Sequence, residues 1–561
     1  MEVAIAHEKT LLEKVHEEHE VGYYKVDDYL EMYLFSHGFI SDVLSYRKVK
    51  ALTSDNPILI DSQTGTGKST WVFSTLFPVL QERGQKLLIL CGRTALASQY
   101  KKQAAKQFAP QLLENLTPMG LKRQIEFGDV DIMTYQSLAQ RFKNSAGYSA
   151  KKYGAVVFDE AHYFVQDAAF DCYTEELLNR CISQFRGALR IYLTATPDAV
   201  LESIVSAERN AILPMKAYAS IWKNPLPIGF TLYRFRTNYD YVNPIFFTED
   251  DSLVKQICSQ QGKVLICVDN KALGQKLQKK FGDEIAEFVD AEMKNNDKSE
   301  LVDNVIQEEQ FKKRIFIVTS FLDVGVNLQD TELKTVVLYV SDPILLKQFL
   351  GRKRVKKGEN VNLFFYVQDE ERLLNRQKGL NDRLRLWEQN VETFFDTGAT
   401  TEIPFPCFFD FNLHAYTTKY NNFSFRYLAF QLHSVRMLLE AGRNGDDFLS
   451  GVAGELLSWL GCSEKLKTAA WLEKKVDESV QELDEYLKSL VGQDMDAKGY
   501  DDFRNRIREI HNAGCHRKDK WRLRNLPSLS KMEEYFSTVG LNYTIRTGDK
   551  SHRIELGGLK S

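Results

Sequence analysis

The sequence predicts an α/β fold: two parallel-sheet units in tandem, followed by a mainly α-helical C-terminal region. Three observations lead there. From about 46 to 225, and again from 226 to 370, short apolar runs alternate with helix-prone stretches. Only the first unit carries a glycine-rich loop between a strand and a helix. Beyond about 370 the apolar residues recur at spacings of three and four, the period of a helix face.

Taken in order, residues 1–45 are acidic and read as an N-terminal helical segment, with His7, His16, His19 and His37 on a solvated face rather than at a metal. The first unit, 46–225, has strand-like runs at Pro57–Ile60, Lys86–Cys91, Asp131–Thr134, Ala155–Phe158 and Arg190–Leu193. Residues 225–247, with Pro225 and Pro227, read as a crossing between units. The second unit, 226–370, has strands at Lys263–Val268, Ile315–Val318, Thr335–Tyr339 and Asn362–Tyr366. In the C-terminal region, 371–561, Leu428, Leu432, Val435 and Leu439 share a helix face that Gly442 would end. Val476, Val480, Leu483, Leu487 and Leu490 form a short seam, read as intramolecular core. The chain closes on a helix at Lys531–Thr538 and a hairpin of Tyr543–Arg546 with Arg553–Leu556, either a winged-helix-like module or an α+β cap.

The 561 residues are 43 % hydrophobic and 27 % charged, an ordinary globular composition for several domains. No apolar run reaches membrane-spanning length, so no membrane partner is expected. Eight cysteines lie scattered without a CxxC pair, and the N-terminus lacks a secretory pattern; both suit the cytoplasm. A net charge of −3 leaves any nucleic-acid contact to local basic patches. Two exist: Lys347 to Lys357, and a cluster from Arg504 to Arg524 around Trp521. His511, Cys515 and His516 lack a fourth ligand and are not read as a zinc site.

Chemistry concentrates first at Ser62–Thr70. A strand, a glycine turn and a helix N-terminus make a phosphate cradle of inward N–H groups. Thr64, Gly65, Thr66, Gly67, Lys68, Ser69 and Thr70 would bind ATP, Lys68 against the β- and γ-phosphates and the Ser69 hydroxyl on Mg²⁺. The second stretch is Asp159-Glu160-Ala161-His162, where a buried strand ends on two carboxylates. Asp159 can hold Mg²⁺, and Glu160 can take a proton from an attacking water.

With these residues in view, the chain resembles superfamily 2 helicases of the DEAH/DExH type. Ser62–Ser69 looks like motif I, Leu90–Gln99 like motif Ia, Asp159–His162 like motif II and Thr194-Ala195-Thr196-Pro197 like motif III. Ile132–Leu138 resembles a later strand-track motif, Lys263–Asp269 falls where motif IV is expected, Thr319–Leu328 resembles motif V and Gln348–Arg354 motif VI. The resemblance implies two RecA-like domains that close on ATP and step along nucleic acid. It implies catalytic roles for Glu160, Gln348, Arg352 and Arg354, nucleotide contacts from Gly325 and Asn327, and coupling through His162, Thr194 and Thr196. Arg93, Thr94, Thr134, Gln136 and Thr319 would touch the strand. One departure matters. The second motif VI arginine is expected at position 355, which is Val355, and Arg354 stands one residue early. Arg354 is either a second finger, if the local backbone is altered, or a surface or strand-binding charge.

The expected function is an ATP-dependent helicase or translocase moving 3′-to-5′, with ATP and Mg²⁺ as cofactors. Its partner is single-stranded or tailed duplex nucleic acid, DNA slightly favoured over RNA, with protein partners reached through the C-terminal domain. Remodelling without unwinding, and a nucleotide-gated scaffold, are the alternatives.

Overall fold

The fold is seen in a computed structural model that describes residues 21–26, 29–34, 39–63, 65–115, 117–144, 149–216, 229–235, 237–290, 305, 308–319, 328–356, 358–397, 407–412, 415–472, 478–514, 526–538, 541, 543–548 and 552–556. Its first sheet has nine strands: β1 (Val21–Val26), β2 (Tyr29–Leu34), β3 (Ile58–Asp61), β4 (Lys86–Cys91), β5 (Glu126–Phe127), β6 (Val130–Thr134), β7 (Tyr153–Asp159), β8 (Leu189–Thr194) and β9 (Thr231–Phe235). Their order is β1-β2-β9-β3-β8-β7-β4-β6-β5, and the run from β9 to β6 is parallel. These central strands are buried on both faces, which is why they read as continuous apolar runs rather than alternating ones. Leu59, Leu90, Phe158 and Tyr192 fill one side of the sheet, while Ile58, Ile60, Trp71 and Val157 fill the other.

The second domain repeats the design. β10 (Val242–Phe247), β11 (Lys263–Val268), β12 (Ala286–Val289), β13 (Ile315–Val318), β14 (Leu333–Tyr339) and β15 (Val361–Tyr366) belong to one sheet, whose core β12-β13-β11-β14-β15 is parallel. The chain therefore holds two RecA-like parallel-sheet domains in tandem, as the alternating pattern predicts. Among the described residues no helix is long and apolar enough to cross a membrane.

Three expectations about organisation are corrected. Residues 21–26 and 29–34 are not helical: β1 and β2 pair antiparallel, and β2 adds to β9. Val21, Tyr23, Tyr24, Val26, Tyr29 and Tyr33 are β-branched or aromatic, and the sheet edge supplies backbone partners that outweigh the acidic composition of the neighbourhood. The boundary between the domains lies beyond 225, because β9 pairs with β3 in the first sheet. Residues 371–561 are not one accessory domain. One compact unit holds the described residues up to Phe246 and Ile257–Ala470; the other holds Phe247–Gln256 and the residues from Trp471 on.

The helical part of the first unit includes Asn422–Asn444, which buries Leu428, Leu432, Val435 and Leu439 as expected. Gly442 lies inside this helix and does not end it; a Cβ there would stand 2.6 Å from the Phe448 ring, so close packing selects the glycine. In the second unit, helices Glu478–Leu490, Ala497–Gly514 and Leu529–Thr538 surround one apolar cluster that takes in Leu483 and Leu487. The terminal hairpin, Tyr543–Thr547 with His552–Leu556, is present, and Asp494–Met495 adds a third strand beside His552–Leu556.

Candidate active site

Parallel strands bring their carboxyl ends to one edge. Asp61 lies beside Thr194 in register, and Cys91 beside both Asp159 and Thr134. The loops that follow β3, β4, β6, β7 and β8 thus emerge together, where open α/β sheets bind ligands.

The P-loop turns on glycines at positive φ, Gly65 at 93° and Gly67 at 83°. Gly67 is the N-cap of α1 (Lys68–Trp71), so N–H groups of the helix start face the loop. A widened π turn, Val72–Leu76, follows α1 and accommodates Pro78, which has no N–H to donate. Lys68 Nζ donates to the Ser62 carbonyl at 2.8 Å, and the Thr66 hydroxyl to the Gln63 carbonyl at 2.9 Å. The Gln63 side chain pairs twice with Asn238: Nε2 donates to its carbonyl at 3.0 Å, and Oε1 accepts its N–H at 2.6 Å. That ties the P-loop to the chain leaving the first sheet. Ser69 is partly buried and Thr70 exposed on α1. Thr64, Gly325 and Asn327 lie outside the described residues.

At the end of β7, Asp159 is buried, and its Oδ1 accepts the Glu160 N–H at 3.0 Å. Burial, reinforced by the Glu160 charge, pushes the Asp159 carboxyl up; Lys68 opposes the shift. Glu160 differs. Burial resists its ionisation, but nearby positive charge, from the His162 ring when it is protonated and from Lys68, Arg352 and Arg354 throughout, outweighs that and holds it below the ordinary glutamate value. Glu160 is therefore an ionised carboxylate able to accept a proton. It also sits at φ 53°, one of two non-glycine residues at positive φ among those described. Such strain persists only where the surroundings impose it. The Ser69 hydroxyl and the Asp159 carboxylate are hard oxygen donors of the kind Mg²⁺ takes, and Mg²⁺ commonly keeps water and substrate in its other positions.

A hydrogen-bonded chain leaves this site. Thr194 Oγ1 accepts the Thr196 N–H at 3.0 Å and lies 3.1 Å from His162 Nδ1. On the other side of the ring, Gln348 Nε2 donates to His162 Nε2 at 2.6 Å. This arrangement needs a neutral imidazole with its proton on Nδ1. Burial supplies that condition, driving His162 down to about 4 against the pull of Glu160. Because Gln348 belongs to the second domain, the link spans the cleft.

Gln348 lies on α2 (Pro343–Leu350), which ends at Gly351. Beyond it Lys353 makes a single parallel β-bridge with Leu328, whose N–H donates to the Arg352 carbonyl at 2.8 Å and whose carbonyl accepts the Arg354 N–H at 3.0 Å. In extended chain, side chains alternate, so residues two apart share a side. Lys353 accordingly turns away, 3 % exposed, to the Asp330 carbonyl at 2.9 Å and the Glu359 carboxylate at 2.8 Å. Arg354 turns to the P-loop, its Nη1 3.7 Å from where a Cβ on Gly65 would stand. Arg352 is buried and acts on the same Glu160. Arg354, one residue earlier than the expected position, thus lies on the P-loop side of the bridge.

The residues expected on the nucleic-acid track divide. Thr94 and Gln136 are exposed and Thr134 partly so, at the ends of adjacent strands β4 and β6; Thr134 Oγ1 accepts the Ser137 N–H at 3.2 Å. Thr319 follows β13 in the other domain. Arg93 is engaged differently, in a 2.6 Å ion pair with Asp167, and lines a small pocket with Glu160 and His162. Sequence reasoning missed Gln63 and Asp342, whose partners are distant in the chain and announced by no motif.

Residues 5–199 match the family described as type III restriction enzyme, res subunit. No curated protein matches the sequence. Among solved structures, the chain is similar to S. cerevisiae Dbp5 bound to RNA and ADP BeF3, at 16 % identity and a TM-score of 0.40, over 60 % of this chain and 85 % of that one. It is similar to the DEAD-box helicase Mss116 bound to ssRNA and UDP-BeF, at 12 % identity and 0.41, over 72 % and 90 %. It is also similar to the Mycobacterium smegmatis helicase Lhr bound to ssDNA and AMP-PNP, at 15 % and 0.41, over 88 % and 63 %. The sheet domain that holds the P-loop and the Asp159–His162 turn is thus the part that matches this family, and a second RecA-like domain follows it.

Proposed function

We propose that the chain is an ATP-dependent nucleic-acid helicase or translocase of the superfamily 2 DEAH/DExH type, hydrolysing ATP between its two sheet domains. One observation carries the reading: Arg354 of the second domain reaches the P-loop glycine Gly65 of the first, with Arg352 beside it and both charges bearing on Glu160. An arginine pair facing a phosphate cradle and an ionised carboxylate suits phosphoryl transfer to water. In this reading the P-loop amides from Thr64 to Thr70 and Lys68 bind the phosphates, and Gly325 and Asn327 add contacts. Glu160 takes the proton of the attacking water. Arg352 and Arg354 offset charge on the leaving and transferred groups. Ser69 and Asp159 would hold Mg²⁺, which would further neutralise phosphate charge. Gln348, His162, Thr194 and Thr196 link the state of the cleft to the strand-facing loops.

Nucleic acid lies along the sheet edge, on Thr94, Thr134 and Gln136 of the first domain and Thr319 of the second. Arg93 joins them by exchanging Asp167 for a phosphate. Contacts of this kind read backbone rather than base, so sequence preference is weak. The motor moves 3′-to-5′ on one strand, slightly favours DNA over RNA, works in the cytoplasm and meets protein partners through its C-terminal unit. ATPase rates with matched single-stranded DNA and RNA test the reading. Stimulated hydrolysis that Lys68→Ala abolishes is expected, and full turnover by that variant refutes the site.

A further inference from the structure

The helix Asn422–Asn444, here α3, grips both sheet domains through buried polar groups. At its start, Asn421 is 0 % exposed. Its Oδ1 accepts the Phe423 N–H at 3.1 Å and caps the helix, while its Nδ2 donates to the Asp171 carbonyl at 3.0 Å and the Thr174 hydroxyl at 2.8 Å. Those two partners lie in the first domain, just past the Asp159–His162 turn. Further along α3, the Tyr427 hydroxyl donates to Asp342 Oδ2 at 3.1 Å, and Gln431 Nε2 to the same oxygen at 3.3 Å. Asp342 is the N-cap of α2, its Oδ1 accepting the Ile344 N–H at 2.8 Å. Apolar packing runs the same way, with Phe423 and Tyr427 sharing one buried cluster with Tyr163, Phe164 and Leu178 of the first domain and Ile344 of the second.

A carboxylate has two oxygens to satisfy, and Asp342 is only 2 % exposed. One oxygen starts the helix that carries Gln348 and delivers Arg352. The other depends on α3. Withdrawing Tyr427 and Gln431 would leave buried charge short of donors, which is costly. The start of α2 therefore cannot leave α3 cheaply, and α3 cannot leave the first domain without breaking the Asn421 bonds.

We infer that α3 is a brace across the ATP cleft, and that Tyr427 and Gln431, acting through Asp342, are positioning residues for Gln348 and Arg352. The inference rests on the active-site reading above. It gives the accessory helices a hold on hydrolysis: whatever displaces α3 displaces the arginine-bearing segment.

Tyr427→Phe in the full chain removes one hydroxyl and keeps the ring. Loss of a bond to a charged group predicts a kcat for DNA-stimulated hydrolysis lower by about tenfold, with KM for ATP unchanged. In a Gln348→Ala background the same substitution should cost little more, because both act on one element. Arg443→Ala, near the far end of α3, should leave the rates unchanged. An unaltered kcat in Tyr427→Phe, or an equal loss in both backgrounds, overturns the brace. Hydrogen exchange of the Ile344–Leu350 amides supplies a readout independent of activity. Faster exchange in Tyr427→Phe is expected, and unchanged exchange overturns the inference. Should Lys68→Ala retain hydrolysis, the active-site reading falls and the exchange result alone decides the brace.

Discussion

Arg354 offers the most demanding test of the site, because its position contradicts the usual spacing. Consider Arg354→Ala beside the double substitution Arg354→Val with Val355→Arg, which restores the interval implied by the motif VI resemblance. The Arg354 Nη1 lies 3.7 Å from the Cβ position of Gly65, so a phosphate in the loop would sit about one van der Waals contact away. A unit charge pair at about 4 Å with an effective dielectric near 20 is worth about 4 kcal/mol. Arg354 is only partly buried, and water screens about half of that, leaving about 2 kcal/mol or a thirtyfold effect on rate. Single-turnover ATP hydrolysis with saturating single-stranded DNA should fall by about that factor in Arg354→Ala. The double variant should not recover. In extended chain, position 355 points with Lys353, away from the P-loop. Recovery to wild-type rate in the double variant, or hydrolysis within twofold of wild type in Arg354→Ala, would refute the alternating-backbone argument.

Other predictions concern neighbouring groups. Glu160→Gln should bind nucleotide normally yet hydrolyse it at least a hundredfold more slowly, as read by paired binding and ATPase measurements. Glu160→Gly should be equally inactive but more stable by about 1 kcal/mol, since glycine tolerates positive φ; a lowered melting temperature would contradict the strain. His162 is held down to about 4, below its unfolded value near 6.5, so the unfolded chain takes up the proton first. The stability this neutral ring contributes is complete above about 6.5 and is lost as pH falls toward about 4. Denaturant melts across that range should show a smaller acid loss in His162→Gln than in wild type. Asp159 is shifted the other way, so Mg²⁺–nucleotide affinity should weaken on acidification at a pH above the ordinary aspartate range, as titration calorimetry would show.

The sheet cores were legible because their strands are buried on both faces. Lys86–Cys91, Lys263–Val268 and Ile315–Val318 begin and end where the apolar runs do. Where partners are non-local the reading fails. β1 and β2 gain strand structure from the edge of β9, more than 190 residues away in sequence. The same blindness placed the domain boundary too early, since nothing in Thr231–Phe235 says that it pairs with Ile58–Asp61. Gly442 looked like a stop signal because isolated sequence shows its flexibility and hides the Phe448 ring packed against it.

The site teaches a sharper version of that lesson. Motif spacing encodes a backbone, and residue identity is read correctly only if that backbone is known. An interval of three between arginines assumes helical geometry, in which i and i+3 share a face. Here α2 ends at Gly351, and the Leu328 carbonyl and N–H draw residues 352–354 into an extended bridge. The interval that keeps two side chains together then becomes two. Lys353, the residue skipped, is buried against Asp330 and Glu359 and so anchors the bridge from behind. Lys353→Ala should therefore weaken hydrolysis without itself meeting nucleotide, by freeing the register that aims both arginines. The Lys353→Arg variant, able to keep the ion pair, should retain more activity than the alanine; equal losses in the two would mean that the bridge is held by its backbone bonds alone.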